Sequence, residues 1–466
     1  MPTRTNRRAF LRQVAAGSAA GGAWLAGAPC AGMDQRPCEF RLAPFRCDVT
    51  PPFGHSCCGG WITPVQAVDD SLEALGFVLL GAGAPLVVCA VDWTGILNEA
   101  HVAWREALAS AAGTTPDRVA VQCVHQHNAP FACLEAEQLV RQQGDLPHIV
   151  DAAFFADCLD RVRRAVAESL PNARPLTHIA WGQAQVRDVA SNRRIARWPD
   201  GRVRTARGSS CQDPGLRALP EGLIDPWLKT VAFYDQDTKL AACHYYATHP
   251  MSYYGDGRVT SDFAGLARKR CQQDEPGCLH VYFTGCAGNV TAGKYNDGSP
   301  EMRPVLVQRM YDGLVESERS PARAAISHLS WSTAEILPLP RADLSVEDLV
   351  QQIDDRTGRV VGRNRPAYAL AWLRRIERQI PLVLSTLRIN DVHLLHLPGE
   401  CFVDYQLRAQ QLRPARFIAT ASYGDGGTWY IPTKEEYALG GYECSVAWCD
   451  PAIDEQLSRG MQQLLS

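Results

Sequence analysis

Short apolar segments rich in β-branched residues alternate with segments of helical periodicity along most of the chain, and this alternation constrains the fold more than any other feature. Pro85–Val91 is apolar throughout, which predicts a strand buried on both faces of a sheet. Arg118–Val124 is a β-branched strand, whereas residues 98–112 and 150–170 have the periodicity of amphipathic helices. Interleaved strands and helices predict an α/β fold in which helices flank mixed β-sheets.

The remaining segments continue this pattern without an internal repeat or an interdomain linker. Trp227–Tyr234 and Ala241–Thr248 predict a hairpin. We expect a loop or edge strand in residues 32–60, a polar helical segment at about 345–380 and a loop-rich region at 416–450. Residues 32–466 are therefore expected to form one catalytic domain.

The N-terminus has the features of an export signal. Asn6-Arg7-Arg8-Ala9-Phe10-Leu11-Arg12 precedes a Gly/Ala-rich apolar stretch, and together they resemble a twin-arginine signal. We expect residues 1–31 to be this signal and the exported protein to be periplasmic or extracellular. No apolar run reaches the roughly 18 residues that a membrane-spanning helix needs, so no transmembrane span is expected.

Composition excludes two classes of protein. Hydrophobic residues make up 46% of the chain, which is enough for a large core and excludes a disordered protein. The formal net charge is −3 and no basic cluster follows the N-terminus, so no nucleic-acid partner is expected. The 17 cysteines are scattered without a CxxC pair, and they are compatible with disulfides and with buried free thiols alike.

Candidate metal ligands follow three predicted strands. His125 and His127 lie two residues apart at the end of one strand, where period-2 geometry places both side chains on one face. His249 ends a second strand, and Glu400 follows the strand Val392–Leu397. Each of these residues alone is equally compatible with a structural role. Together, however, two His and a carboxylate match the protein ligands of a catalytic zinc ion, whose remaining position holds water.

Motifs of competing mechanisms are missing from the sequence. It contains no GxSxG elbow, no P-loop, no GxGxxG after a strand and no HExxH. Asp262 precedes a predicted helix, where it is either a hydrogen-bond partner of His249 or the N-cap of that helix.

The order of four motifs resembles that of the neutral, non-lysosomal ceramidases, over nearly all of residues 40–450. Val124–Pro130 is similar to the family's Thr-His-Thr-His-Ser-Gly-Pro, and His249 stands at the family's lone strand-end His. Pro398–Phe402 is similar to its Pro-(Ala/Gly)-Glu-Phe. Tyr430-Ile-Pro-Thr-Lys-Glu-Glu-Tyr, continuing to Tyr442-Glu, is similar to Tyr-Val-Thr-Thr-x-Glu-Glu-Tyr…Tyr-Glu-Gly and keeps its spacing.

The resemblance implies a neutral-ceramidase-like catalytic domain with a particular site. It implies zinc ligands at four positions, namely His125, His249, Glu400 and Tyr430. It also implies that His127 and Tyr442 lie beside the scissile amide, and that an arginine lies near the substrate. Arg193 is the candidate for this arginine and Arg194 the alternative.

Two features depart from the family pattern. In the turn Gly285–Thr291 the Ser considered as a nucleophile is absent, which favours attack by water over an acyl-enzyme. Cys286 in this turn is either a replacement nucleophile or a packed core residue. No counterpart of the family's C-terminal immunoglobulin-like domain is expected after the Tyr430 motif.

These observations predict a zinc-dependent hydrolase that cleaves the amide bond of a small N-acyl substrate, with a ceramide-like lipid as the first candidate. His127 and Tyr442 would stabilise the developing oxyanion or orient the substrate, and Glu400 or a neighbouring carboxylate would be the base. Two alternatives stay open. The same site could act on a non-lipid amide or ester, or the protein could be a secreted metal-binding protein without catalysis.

Overall fold

The computed structural model describes residues 40–466, so the signal expected at residues 1–31 lies outside the described residues. Three larger β-sheets form the centre of this part of the chain. Sheet 1 has the strand order Val119–Cys123, Leu86–Val91, Glu73–Leu80, Arg41–Asp48 and Arg174–Pro175. Sheet 2 has the order Leu279–Thr284, Thr238–Tyr246, Trp227–Asp235, His178–Gln185 and Ala322–Ala325. Sheet 3 has the order Leu329–Ile336, Leu382–Ile389, Val392–His396 and Phe417–Ala421.

Short strand pairs and helices complete the architecture. The pairs are Ser191–Asn192 with Val290–Thr291, Ala196–Arg197 with Val203–Thr205, Arg258–Val259 with Ala67–Val68, Glu400–Cys401 with Tyr430–Ile431, and Gly95–Ile96 with Phe131–Ala132. The helices are Glu99–Ala112, Leu134–Arg141, Ala152–Ser169, Pro214–Ala218, Asp262–Asp274, Met302–Ser317, Val346–Asp354, Val360–Glu377, Val403–Leu412, Lys434–Ala438, Tyr442–Ser445 and Ile453–Leu464. The expected α/β class with mixed sheets and flanking helices is confirmed.

Leu86–Val91 shows why the sheets are central. All six of its residues are buried, because the strand lies between two neighbouring strands and both faces of sheet 1 are covered. One face packs against sheets 2 and 3 through side chains such as Phe77 and Phe233, whose ring centroids lie 5.0 Å apart. The other face packs against helices Glu99–Ala112 and Ala152–Ser169. A strand covered on both sides needs apolar residues throughout, which is the pattern seen in the sequence.

Three segments differ in detail from the expectation. The 32–60 region contains the eight-residue strand Arg41–Asp48, which pairs along its full length with Glu73–Leu80. The polar segment at 345–380 is two helices, because Asp355 accepts hydrogen bonds from Thr357 in a turn that separates them. The 416–450 region begins with the strand Phe417–Ala421, parallel to Val392–His396.

The cysteines of residues 40–466 are free thiols, and all of them except Cys47 are buried. This favours packed thiols over disulfides for the described part of the chain. No helix of residues 40–466 is long and apolar enough to cross a membrane.

Candidate active site

Loops that follow strands of sheets 1, 2 and 3 bring the predicted metal ligands together. His125 follows Val119–Cys123 and His249 follows Thr238–Tyr246. Glu400 opens a two-residue strand after Val392–His396, and this strand pairs in parallel with Tyr430–Ile431, so that Glu400 lies in register with Tyr430. Four residues that are distant in the sequence therefore meet where the strands end.

His125 is held by the loop rather than by a continued strand. Its φ is +74°, a left-handed conformation that is uncommon for His and is found where the surrounding structure enforces it. Its ring Nδ1 lies 2.6 Å from the carbonyl oxygen of Thr94. The prediction that His125 and His127 share the extended backbone of one strand is therefore wrong. A turn brings the two rings together, with centroids 5.2 Å apart.

His249 is oriented in the same way by a backbone carbonyl. Its Nδ1 lies 2.7 Å from the carbonyl oxygen of Ala287, in the glycine-rich turn. The Asp262 carboxylate instead accepts hydrogen bonds from the backbone N–H groups of Ser252, at 3.0 Å, and Phe263, at 2.6 Å. Asp262 is thus not the hydrogen-bond partner of His249, and it anchors the loop that follows His249.

Three electron-rich atoms converge at the centre of this site. A carbonyl can only accept a hydrogen bond, so Nδ1 of His125 and of His249 carries the proton and each Nε2 presents a lone pair. These Nε2 atoms lie 3.2 and 3.3 Å from the same Oε2 of Glu400. Burial lowers the pKa of His249, which favours its neutral form. With both rings neutral the arrangement is repulsive, and a metal ion or an additional proton between the three atoms relieves the repulsion.

The separations fit a zinc ion. Two ligands of a tetrahedral zinc with bonds of about 2.0–2.1 Å lie roughly 3.3–3.4 Å apart. His249 Nε2 and Glu400 Oε2 are buried and have no other hydrogen-bond partner among the described residues. The ring nitrogens of His125, His127 and His249 also lie within 4.8 Å of one another. The residues present therefore fit a metal centre, with Glu400 or His127 as a third ligand beside His125 and His249.

Glu400 is buried yet favours its ionised form. Burial raises the pKa of its carboxyl group, but positive charge on the neighbouring rings of His125 and His249 lowers it by a larger amount, so that the net pKa lies below the ordinary value. An ionised carboxylate is the form that binds a metal ion.

His127 lies beside the three converging atoms, and because its Nδ1 is directed at Cys58, Nε2 is the ring nitrogen left to face them. That nitrogen is shielded from solvent and has no hydrogen-bond partner among residues 40–466. Its Nδ1 lies 3.5 Å from the thiol of Cys58. Burial, with the nearby His125 and His249, holds the pKa of His127 well below its usual range, so its ring is neutral at pH 7.

Tyr430 connects the site to an arginine. Arg193 Nη1 donates a hydrogen bond of 3.1 Å to the Tyr430 hydroxyl, and Arg193 Nε lies 3.0 Å from the buried carboxylate of Glu443. Burial raises the pKa of Tyr430 well above its usual range, while Glu400 raises it further and Arg193 lowers it. The pairing of Ser191–Asn192 with Val290–Thr291 places Arg193 here.

Arg194 points away from Tyr430. Its guanidinium contacts two carboxylates, with Nη1 2.8 Å from Glu443 and Nη2 2.6 Å from Glu436. Both carboxylates belong to the segment that carries Tyr430 and Tyr442. Of the two arginines, the structure therefore places Arg193 at the site and gives Arg194 the role of fixing this segment.

Replacement of Arg194 by Met is expected to destabilise the fold. The substitution removes one of the two buried arginine partners of Glu443, and breaking a buried ion pair costs up to about 3–5 kcal/mol of unfolding free energy. Arg197→Met is the matched control, because Arg197 contacts Glu436 from a more exposed position, where a pair contributes at most about 1 kcal/mol. Urea unfolding followed by circular dichroism measures both. Equal losses in the two variants would contradict the structural role of Arg194.

Tyr442 lies at the solvent side of the site. It is 39% exposed, and its ring centroid is 5.8 Å from that of Tyr430. Its hydroxyl accepts a hydrogen bond of 3.4 Å from Arg365 Nη2. A partly exposed hydroxyl next to buried candidate ligands can contact a bound substrate.

Cys286 packs in the core. It is fully buried among the apolar residues around sheet 3, and burial raises the pKa of its thiol well above the usual range. Its backbone N–H donates to Gln406 Oε1 at 3.0 Å. These contacts favour packing over a nucleophilic role. The same turn needs glycine at position 288, since a Cβ there would collide with the backbone carbonyl of Glu400.

Four side chains at the site were not found from the sequence. They are Cys58, Tyr254, Arg365 and Tyr423. Tyr423 stacks on His125 with ring centroids 4.3 Å apart, and its hydroxyl lies 3.4 Å from His249 Nδ1. Tyr254 is 46% exposed and lies 5.1 Å from the ring of His127. Tyr423 does follow a strand end, as His125 does, but no spacing pattern marks the other three.

A second group of titratable residues includes the buried His244 and His280 on neighbouring strands of sheet 2. His244 Nε2 and His280 Nδ1 are 3.0 Å apart, and His280 Nε2 lies 3.3 Å from Glu275. Lys239 Nζ lies 2.7 Å from Glu275 and also contacts Glu318. An ammonium group already balances these carboxylates, so the first site is the better candidate for a metal ion.

The comparisons with known proteins bear on the fold. No protein-family model and no curated protein matches the sequence. Among solved structures, one described as a ceramidase complexed with C2 matches with a TM-score of 0.65 and 15% identity, over 92% of this chain and 75% of that chain. A neutral ceramidase from Pseudomonas aeruginosa matches with a TM-score of 0.63 and 16% identity, over 92% and 74%. Residues 40–466 thus share the fold that the four motifs indicated.

Proposed function

We propose that this protein is a zinc-dependent hydrolase that cleaves the amide bond of an N-acyl substrate. The carrying observation is the convergence of His125 Nε2, His249 Nε2 and Glu400 Oε2 in a buried space at the separations of zinc ligands. The similarity in fold to ceramidase structures supports amide hydrolysis as the reaction class. When bound, a zinc ion would supply a Lewis acid and a water of lowered pKa.

His125, His249 and Glu400 would hold the ion, with Tyr430 beside them. Arg193 donates to the Tyr430 hydroxyl, and the Tyr430 ring is stacked with its centroid 6.3 Å from that of His249. Glu443 balances the charge of Arg193 and fixes its direction. This chain of contacts explains how an aromatic residue on a separate segment is held at a metal centre.

His127 would act on the substrate carbonyl. Burial raises the pKa of the Cys58 thiol above its usual range, so the thiol stays protonated and can donate to His127 Nδ1. The proton of the neutral imidazole then resides on Nε2, which faces the site. A neutral ring with an N–H group in that position can donate a hydrogen bond to the oxygen that becomes negative during hydrolysis.

Two features favour catalysis over simple metal storage. One is a hydrogen-bond donor without a partner, and the other is a pair of partly exposed side chains at the solvent side of the site. His127 Nε2 has no partner among residues 40–466. Tyr254 beside His127 and Tyr442 beside Tyr430 are both partly exposed. A purely structural zinc site is closed by four protein ligands and needs neither feature.

The proposal is tested by metal analysis together with release of primary amine from a panel of N-acyl compounds. The panel contains a ceramide, an N-acylethanolamine and an N-acyl amino acid of equal acyl length. We expect about one zinc per chain, amine release from at least one compound, and loss of the activity after chelation. Bound zinc without any amine release would identify a metal-binding protein without this activity. Full activity after verified metal removal would contradict the metal-dependent mechanism.

A further inference from the structure

Arg365 is a cation fixed at the entrance of the candidate active site. It lies in helix Val360–Glu377, and its Nη2 donates to the Tyr442 hydroxyl at 3.4 Å. The guanidinium carbon lies 5.4 Å from the Trp429 ring, 5.8 Å from Tyr442 and 5.9 Å from Trp61. Three rings thus restrict a side chain that is otherwise flexible, and they present its planar group beside the reacting region.

This guanidinium has no counter-charge. Among residues 40–466, no carboxylate forms an ion pair with Arg365, and its Nε is shielded from solvent without a hydrogen-bond partner. In contrast, Arg193 and Arg194 at the same site both contact Glu443. The three rings offset part of the cost of a half-buried cation without an anion, and a ligand carboxylate would supply the missing charge.

We propose that the substrate carries a carboxylate in its amine-derived part and that Arg365 binds this carboxylate, which makes N-acyl amino acids the substrate class. The inference rests on the proposed amide hydrolase function and narrows it. A planar guanidinium matches a carboxylate with two parallel hydrogen bonds, and such charge-assisted pairs are the strong ones. The sphingoid base of a ceramide offers hydroxyl groups only and would leave Arg365 without an anion.

The amine-derived part faces Arg365 because of the polarity of the two halves of the substrate. An apolar acyl chain against Arg365 would remove water from the cation without replacing its hydrogen bonds. Arg365 also borders a groove of about 400 Å³ that Asp343 and Asp348 line as well and that none of the candidate metal ligands lines. The acidic lining of that groove disfavours a carboxylate there, so the carboxylate is assigned to the side of Arg365 that faces Tyr442.

The test compares N-octanoylglycine with N-octanoylethanolamine, which differ in the carboxylate but have the same acyl chain. We expect the zinc-loaded wild-type enzyme to have a kcat/KM at least 10-fold higher for N-octanoylglycine. Arg365→Gln should lower the ratio of the two kcat/KM values by about 10- to 100-fold, the scale of one hydrogen bond to a charged group. Arg365→Lys should give a ratio between those of the wild type and Arg365→Gln, because lysine keeps the charge but lacks the planar guanidinium.

Arg359→Gln is the matched control, since it removes one exposed positive charge at the start of the same helix. Its ratio of kcat/KM values should equal that of the wild type. A wild-type preference for N-octanoylethanolamine would overturn the inference. So would an Arg365→Gln variant in which both substrates lose activity equally, because that result would indicate a purely structural arginine. In both cases the proposed amide hydrolase function would stand.

A binding measurement distinguishes failure of the carboxylate site from failure of the amide hydrolase function. N-octanoylglycine titrated into the protein and followed by tryptophan fluorescence reports on Trp61 and Trp429, which flank Arg365. If neither compound is cleaved but N-octanoylglycine binds at least 10-fold more weakly to Arg365→Gln, the carboxylate site stands and amide hydrolysis fails. Equal binding to wild type and Arg365→Gln overturns the carboxylate site, whatever the activity.

Discussion

His125→Ala is expected to abolish zinc binding and amide hydrolysis together. The substitution removes one of the two Nε2 atoms that face Glu400 Oε2 at 3.2 and 3.3 Å. Of the three converging atoms it leaves two, one fewer than the three protein ligands of a catalytic zinc site. Bound zinc should fall from about one to below about 0.1 per chain, and kcat/KM should fall by more than about 10³-fold. Elemental analysis after dialysis and an amine-release assay measure the two effects.

Two controls accompany this variant. His178→Ala removes a half-buried His in sheet 2, away from the site, and should keep both zinc and activity. Far-ultraviolet circular dichroism establishes that His125→Ala is folded, since the substitution also removes the hydrogen bond to Thr94. A folded His125→Ala protein that retains a full equivalent of zinc would show that the three converging atoms are not the metal centre.

The sequence predicted the elements of this fold better than the geometry of its site. An apolar run such as Leu86–Val91 predicts a strand covered on both faces, and all six of its residues are buried. Residues 32–60 predict only a loop or edge strand, because Arg46 and Asp48 obscure the alternation within the strand Arg41–Asp48. Its place in sheet 1 depends on pairing with Glu73–Leu80, which local sequence does not encode.

The site residues could be predicted where a motif keeps a fixed spacing. His125, His249, Glu400 and Tyr430 meet because strand ends from separate sheets converge, and the order of motifs indicated this set. The period-2 geometry of a strand does not apply at His125, because the contacts of its loop impose a φ of +74°.

Arg365 and Cys58 could not be predicted, because their importance depends entirely on tertiary contacts. Arg365 is one of many arginines in the sequence, and only packing against Trp61, Trp429 and Tyr442 sets it apart. Cys58 is the second residue of a Cys-Cys pair, and only the fold brings its thiol to within 3.5 Å of His127. The choice of Arg193 over Arg194 likewise required the contact with Tyr430.

His127→Ala is expected to keep zinc but lose turnover. His127 Nε2 points toward the site without a partner among the described residues, whereas the Nε2 atoms of His125 and His249 both contact Glu400. If His127 donates to the developing oxyanion, its removal should lower kcat by roughly 10²–10³-fold, the usual scale for one such donor. Zinc should remain near one equivalent per chain. Single-turnover kinetics and elemental analysis on the same preparation measure both quantities.

The opposite result has a clear structural meaning. The ring nitrogens of all three His lie within 4.8 Å of one another, so a site with three His ligands is geometrically accessible. If His127→Ala loses zinc as completely as His125→Ala, His127 is a ligand and not an oxyanion donor. Cys58→Ala distinguishes the roles further, because it removes the thiol at His127 Nδ1 and keeps the ring. With His127 as a donor, this variant should retain zinc and lose less turnover than His127→Ala, since the imidazole remains but its Nε2 proton is no longer fixed.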